Sequence, residues 1–286
     1  MARLWKGAPV AAALSERVAA QVERLKQRGV SPALAIVRVG QRPEDLSYER
    51  GALKRCEMVG ITVKQFILPD TVELTELLHI VEAINQDAAI HGCLLFRPLP
   101  RHLDEAAVCA ALAPSKDVDG ITDGSLAGVF AGSGSGFPPC TAQACLEILD
   151  YYGYELTGKR AVVVGRSLVI GKPAAMLLLQ RNATVTLCHT RTADLAAECR
   201  RADVLIAAAG KAGMLGVSHI APGQAVIDVG INLDADGMLV GDVDFAAAEP
   251  VADAVTPVPG GVGAVTTSVL ARHVAEAAAR LHGLGG

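Results

Sequence analysis

Short, nearly continuous apolar runs, each closed by turn residues, constrain the fold of this chain more than any other feature. ALAIVRV, IHGCLLF (90–96), RAVVVG (160–165), DVLIAAAG (203–210) and AVIDVG (225–230) show no polar alternation. That is the pattern of parallel strands buried on both faces. ITVKQFIL (61–68) and ATVTLCH (183–189) read as further strands. Helical spacing fills the intervals: Val10, Leu14, Val18, Val22 and Leu25 at the start, Tyr48 to Val59, 75–86, Asp104 to Ala113, a helix capped by Thr141, Gly171 to Leu179, and Thr266 to His282. Repeated strand–crossover–strand units predict an α/β fold with parallel sheets and helices on both faces. The alternation breaks over residues 116–140, a Gly-, Ser- and Pro-rich loop long enough to be a domain junction or a functional loop. Two α/β domains are therefore expected. One is 1–138 with 265–286, the last helix returning to pack on it. The other is 139–264.

Composition removes several function classes. Charged residues are 20% and hydrophobic residues 51% of the 286, too apolar for disorder. The 26 basic and 30 acidic side chains are scattered without a basic block, which argues against a nucleic-acid backbone as partner. Aromatic residues are 3%, so the core must come from Ala, Val, Leu and Ile, and no stacking surface for single strands is available. No uncharged apolar run reaches the roughly 18 residues a membrane span needs. The apolar start keeps helical spacing into SERVAAQVERLKQRG, so an amphipathic helix is expected there rather than a leader. The seven cysteines are odd in number, scattered and without C-x-x-C, which predicts free thiols in a reducing cytoplasm and no zinc site.

Three segments can carry chemistry. In VVVGRSLVIGKP (162–173) a buried strand enters a turn holding Gly165, Ser167 and Gly171, and a helix follows. Glycine lets backbone N–H groups approach a pyrophosphate, and the helix N-terminus adds partial positive charge. The spacing is G-x-S-x-x-x-G, so an ordinary strand–helix turn could look the same. The next strand ends in Cys188-His189-Thr190-Arg191-Thr192, without the carboxylate that grips a 2′-hydroxyl. Arg166 and Arg191 can instead flank a 2′-phosphate, which favours NADP over NAD, with two solvated surface charges as the plain alternative. The second segment, TPVPGGVG (256–263), is a rigid turn with exposed N–H groups. The third, Lys116-Asp117-Val118-Asp119-Gly120, has too few ligands for a metal and fits one Asp gripping a polar ligand, with a solvated acidic turn as the plain alternative.

Taken in order, Tyr48, PLP (98–100), KDVDG (116–120), PCT (139–141), VVVGRSLVIGKP, DVGIN (228–232), GDVDF (241–245) and TPVPGGVG resemble the bifunctional methylenetetrahydrofolate dehydrogenase/methenyltetrahydrofolate cyclohydrolase family over essentially the whole chain. The resemblance implies two α/β domains with a cleft between them, folate in the cleft, NADP on a Rossmann-like second domain (139–264), and a homodimer. It implies that Tyr48 orients the folate, Asp119 anchors the pterin, and Pro259, Gly260 and Gly261 shape the cleft. Thr141, Gly165, Arg166, Ser167, Gly171, His189, Thr190, Arg191, Gly210 and Ile231 would contact the cofactor.

The departures from the family are specific. Its Y-x-x-x-K-x-K motif reads Tyr48-Glu49-Arg50-Gly51-Ala52-Leu53-Lys54, so Ala52 stands at the catalytic-lysine position. Lys54 is two residues on, about 200° around a helix, and cannot simply substitute. The glutamine that partners the lysine is Phe96, the asparagine of a later segment is Leu126, and two expected prolines are Ala142 and Ala264. Hydride removal from the methylene bridge needs no proton transfer, whereas opening the methenyl ring does. The expected activity is therefore NADP-dependent oxidation of methylenetetrahydrofolate, with Tyr48 and Asp119 at the catalytic site, Phe96 as an apolar wall, and cyclohydrolase activity lost or much reduced. Two alternatives stand beside it: a non-catalytic paralogue or partner subunit that binds folate or NADP, and a dehydrogenase on a modified pterin carrier.

Overall fold

The computed structural model describes Met1–Leu284. Along the chain run β1 (Arg3–Leu4), α1 (Gly7–Gln27), β2 (Ala33–Val39), α2 (Pro43–Val59), β3 (Thr62–Leu68), α3 (Leu74–Gln86) and β4 (Gly92–Leu95). Then come α4 (Glu105–Ala111), α5 (Asp123–Ala131), α6 (Cys140–Tyr151), β5 (Arg160–Val164), α7 (Gly171–Gln180), β6 (Thr184–Cys188), α8 (Leu195–Arg200) and β7 (Val204–Ala207). The last are β8 (Ala225–Asp228), β9 (Asn232–Leu233), β10 (Leu239–Val240), α9 (Phe245–Ala248), β11 (Ala254–Val255) and α10 (Thr266–Leu281).

The chain packs as two units. One holds Ala12–Cys140 and the segment from Thr267 on. Its sheet has the order β3-β2-β4, all parallel. Every residue of β2 and β4 is buried, as their uninterrupted apolar sequences require, while β3 lies at an edge and is half exposed. Leu77, Val81 and Ile84 of α3 pack on Ala35, Val37, Cys93 and Leu95. Because β3 and β4 lie on opposite sides of β2, the chain reverses direction across the sheet between β2 and β4. The carboxyl ends of those two strands form the switch point where open α/β sheets place ligands.

The other unit holds Met1–Ala11 and Thr141–Thr266. Its sheet is β1-β11-β8-β7-β5-β6, again all parallel, and its switch point lies between the ends of β5 and β7. Met1–Ala11 differs from the division expected from sequence. Arg3 and Leu4 pair with Ala254 and Val255, and buried Trp5 stacks on Tyr152 at 5.2 Å. A two-residue strand has no periodicity to announce it. Two local differences also have clear causes. Helix α6 begins at Cys140, directly after Pro138-Pro139, so Thr141 lies inside its first turn and is not the cap. Helix α2 begins at Pro43, ahead of Tyr48, with Glu44 and Asp45 favouring its N-terminus.

All seven cysteines are free thiols, and all but half-buried Cys109 are buried. Among the described residues no helix is long and apolar enough to cross a membrane, and no cluster of three or more His, Cys, Asp or Glu could hold a metal.

Candidate active site

In the first unit, helix α2 follows β2 and places Tyr48 beside the end of β4. It buries one stripe, Asp45, Glu49, Ala52, Cys56 and Val59, and Gly60 closes it in a left-handed conformation. Glu49 is held by Arg38 Nε at 2.7 Å and Gln65 Nε2 at 2.7 Å, so a buried ion pair with a second donor fixes the helix to β2 and β3. Tyr48 is half-buried, and its ring meets the Phe96 ring edge-on with centroids 6.0 Å apart. Phe96 lies at the carboxyl end of β4, where its N–H extends the ladder to the Val37 carbonyl. Ala52, one turn on from Tyr48, is 0% exposed, and Phe96 is 8% exposed. Lys54 is exposed and lines a separate surface groove of about 540 Å³ with Arg50, Glu57 and Val63. The helix therefore turns Lys54 away from the stripe that carries Ala52.

The KDVDG segment divides its charges. Lys116 caps the end of α3, its ammonium donating to the Ile84 and Asp87 carbonyls at 2.6 and 2.7 Å. The Asp117 carboxylate accepts the N–H groups of Ile121 and Thr122 at 3.0 and 2.8 Å and closes the turn. Gly120, at φ 69°, abuts Pro138 and Pro139 so closely that a side chain would overlap them. Asp119 alone is left half-buried for a ligand. Burial raises its carboxyl to about 6, against the lowering effect of the nearby Cys140 thiol and the Arg97 charge.

In the second unit, Gly165 ends β5 at φ 124°, and a methyl group there would overlap the Ala208 carbonyl after β7. Gly171, opening α7, sits equally close to the Gly165 carbonyl. Ser167 Oγ accepts the Ile170 N–H at 3.1 Å and folds the turn between them. The glycines leave a cradle of backbone at the switch point that side chains would fill, which fits a pyrophosphate. At the tip of β6, Thr192 Oγ1 accepts the His189 N–H at 2.9 Å, and His189 Nδ1 accepts the Arg191 N–H at 3.0 Å. Thr190, Arg191 and Arg166 are exposed, and neither arginine has an ion-pair partner among the described residues. The nearest carboxylate after the tip, Asp194, caps α8. Thr192 is not among the residues expected from sequence, although a threonine four residues after a strand is an ordinary turn signal.

The carboxylates of DVGIN and GDVDF were not expected to hold anything either, since in sequence both motifs serve only as family markers. Asp228 accepts the N–H groups of Gly230, Asp242 and Val243 at 2.9 to 3.0 Å, and burial raises it to about 6. Asp242 accepts those of Ala209, Gly210 and Lys211 at 2.6, 2.9 and 2.8 Å, and the Asn232 side chain at 2.9 Å. The two motifs thus brace the loops that carry exposed Gly210 and Ile231, the latter 70% exposed. A cavity of about 350 Å³ beside Asp228 reaches Val258. Next to it Pro259 and Gly260 are exposed, Gly261 is buried, and the Gly260 carbonyl accepts the Gly7 N–H at 2.8 Å.

Two profiles of one family match the chain. "Tetrahydrofolate dehydrogenase/cyclohydrolase, catalytic domain" covers residues 5–119, and "Tetrahydrofolate dehydrogenase/cyclohydrolase, NAD(P)-binding domain" covers 139–282. The bifunctional protein FolD of Carboxydothermus hydrogenoformans is 51% identical over 99% of this chain and 100% of its own length. The crystal structure of the FolD methylenetetrahydrofolate dehydrogenase/cyclohydrolase from Campylobacter jejuni superposes with a TM-score of 0.94 at 35% identity, over 98% of this chain and 99% of that one. FolD of Trypanosoma brucei, solved with NADP cofactor and an inhibitor, gives 0.90 at 34% identity, over 98% of each chain.

Proposed function

The chain belongs to the tetrahydrofolate dehydrogenase/cyclohydrolase family and is an NADP-dependent methylenetetrahydrofolate dehydrogenase of one-carbon metabolism; from that premise we propose that its cyclohydrolase step is lost or much reduced. The observation that carries the proposal is the pair at positions 52 and 96: a covered methyl group and a ring set against Tyr48.

NADP, when bound, supplies the carbon that accepts the hydride. The backbone turn from Gly165 to Gly171 fits its pyrophosphate, Arg166 and Arg191 its 2′-phosphate, and Thr141, His189, Thr190, Gly210 and Ile231 the remaining surface. Tyr48 orients the folate, Asp119 accepts N–H groups of the pterin, and Phe96 bounds it as an apolar wall. Hydride loss leaves a cation stabilised by the two flanking nitrogens, so this step asks the protein for position and electrostatics rather than proton transfer. Ring opening adds water to the methenyl carbon and needs protons moved, and neither Ala52 nor Phe96 can move one. Loss of such a group costs about 10² to 10⁴ in rate. A homodimer and a cytoplasmic setting are part of the same reading, the latter supported by seven unpaired thiols.

Paired assays on the purified chain test it. Methylenetetrahydrofolate should reduce NADP at an enzymatic rate, while added methenyltetrahydrofolate should hydrolyse little faster than in buffer. Rapid enzymatic hydrolysis would overturn the proposal. Binding of both ligands with no NADPH formed would point instead to a non-catalytic paralogue.

A further inference from the structure

We propose that His273 is a positioning residue for Asp119, acting through the Val118 carbonyl. The inference rests on the assignment of Asp119 to the pterin.

His273 lies on α10 and is buried. Its Nδ1 is 2.9 Å from the Val118 carbonyl oxygen, and the Cys140 sulfur is 3.3 Å from the same oxygen. Nδ1 and the sulfur are 3.7 Å apart. On the far side of the ring, Arg272 Nη2 stands 3.5 Å from Nε2. A guanidinium only donates, so Nε2 is the acceptor and the single ring proton of the neutral imidazole is on Nδ1, directed at Val118. Burial keeps the ring neutral, pushing it down to about 3, with the Arg272 charge adding to the effect. Phe137 holds the ring in place at 5.0 Å, and the Arg280 guanidinium covers Phe137 at 4.4 Å.

The Val118 carbonyl accepts from both His273 Nδ1 and the Cys140 thiol. The imidazole N–H is the stronger donor of the two. Its bond fixes the peptide plane from which Asp119 departs. His273 therefore sets the backbone origin of Asp119 without touching substrate.

The experiment compares His273→Leu, His273→Asn, His273→Gln and Asp119→Ala in the full-length enzyme, reading KM for methylenetetrahydrofolate, kcat, NADP affinity and the urea midpoint. Asn carries an amide N–H near the position of Nδ1, and Gln carries it near Nε2. His273→Leu should raise the folate KM about tenfold, the effect of one lost buried hydrogen bond, with NADP affinity unchanged. Asn should restore most of it and Gln should not. Should the Leu variant not fold, the Asn–Gln contrast decides. Equal KM values for Asn and Gln, whether normal or raised, overturn the inference while a raised KM in Asp119→Ala leaves the pterin assignment standing. An unchanged KM in Asp119→Ala overturns that assignment and the inference with it.

Discussion

At position 52 a methyl group stands one helical turn from Tyr48, and none of its atoms can move a proton. The site around it has closed accordingly: Ala52 is fully covered, and the Phe96 ring lies against the tyrosine. If ring opening is lost as proposed, restoring it requires room as well as an amine. Ala52→Lys alone should overpack the stripe that Ala52 shares with Glu49 and Cys56, costing about 1–3 kcal/mol and recovering little hydrolysis. Ala52→Lys with Phe96→Gln should recover more, and methenyl hydrolysis with urea midpoints for both variants tests the difference. Asp119 allows a second prediction. Its carboxyl titrates at about 6, raised by burial, so it is ionised above that pH and protonated below. The protonated form accepts fewer hydrogen bonds from pterin N–H groups. The folate KM should therefore climb as pH falls through about 6, and Asp119→Asn should flatten that profile at a higher KM. A wild-type KM that is level from pH 7 to 5 would count against the anchoring role.

At the scale of elements, the strand–turn–helix around Gly165 works because backbone meets backbone. Gly165→Ala puts a methyl group into the Ala208 carbonyl at a φ of 124°, so the turn and the loop after β7 must separate. NADP affinity should fall by tenfold or more while folate binding by the first unit is kept; titration with each ligand reads both. The glycine and its context were legible in sequence, because glycines at the end of a buried strand mark a place where backbone or ligand comes close. The same holds for β2, whose apolar run leaves no exposed face. Helix α5 was not legible: DGSLAGVFA contains two glycines and lacks a helical stripe. Its start is set by short-range caps, the Thr122 side chain on the Ser125 N–H and Asp117 on the Thr122 N–H. Side-chain caps there outweigh propensity. The Asp228–Asp242 brace escaped for a related reason. Each carboxylate binds N–H groups distant in sequence, and a motif read as a string does not show what it holds.

For the whole molecule, buried groups with opposed shifts shape stability against pH. His273 titrates at about 3 when folded and near 6.5 when unfolded. Between those values the unfolded chain binds the extra proton, so this group lowers stability as pH falls, by about 1.4 kcal/mol per unit. His91 is also lowered by burial and acts in the same direction. Asp119 and Asp228, raised to about 6, are protonated first in the folded state and act in the opposite direction between pH 6 and 4. The wild type should therefore change little over that interval, while His273→Asn should gain on it by about 2 kcal/mol from pH 6.5 to 5, measured by urea unfolding at each pH. Parallel curves would show that His273 is not held neutral by the fold. The proposed loss of ring opening also sets what leaves the enzyme. On that proposal dehydrogenation releases the methenyl compound itself, so a separate hydrolase must consume it if formyl carriers are to be made. Under excess NADP the methenyl product formed early should equal the NADPH formed, one for one. Adding a small amount of an authentic cyclohydrolase should then collapse the methenyl signal without changing the initial rate of NADPH formation. A methenyl yield well below the NADPH yield from the first seconds, faster than buffer hydrolysis allows, would mean that some group other than positions 52 and 96 moves the proton, and that the ring opens before release.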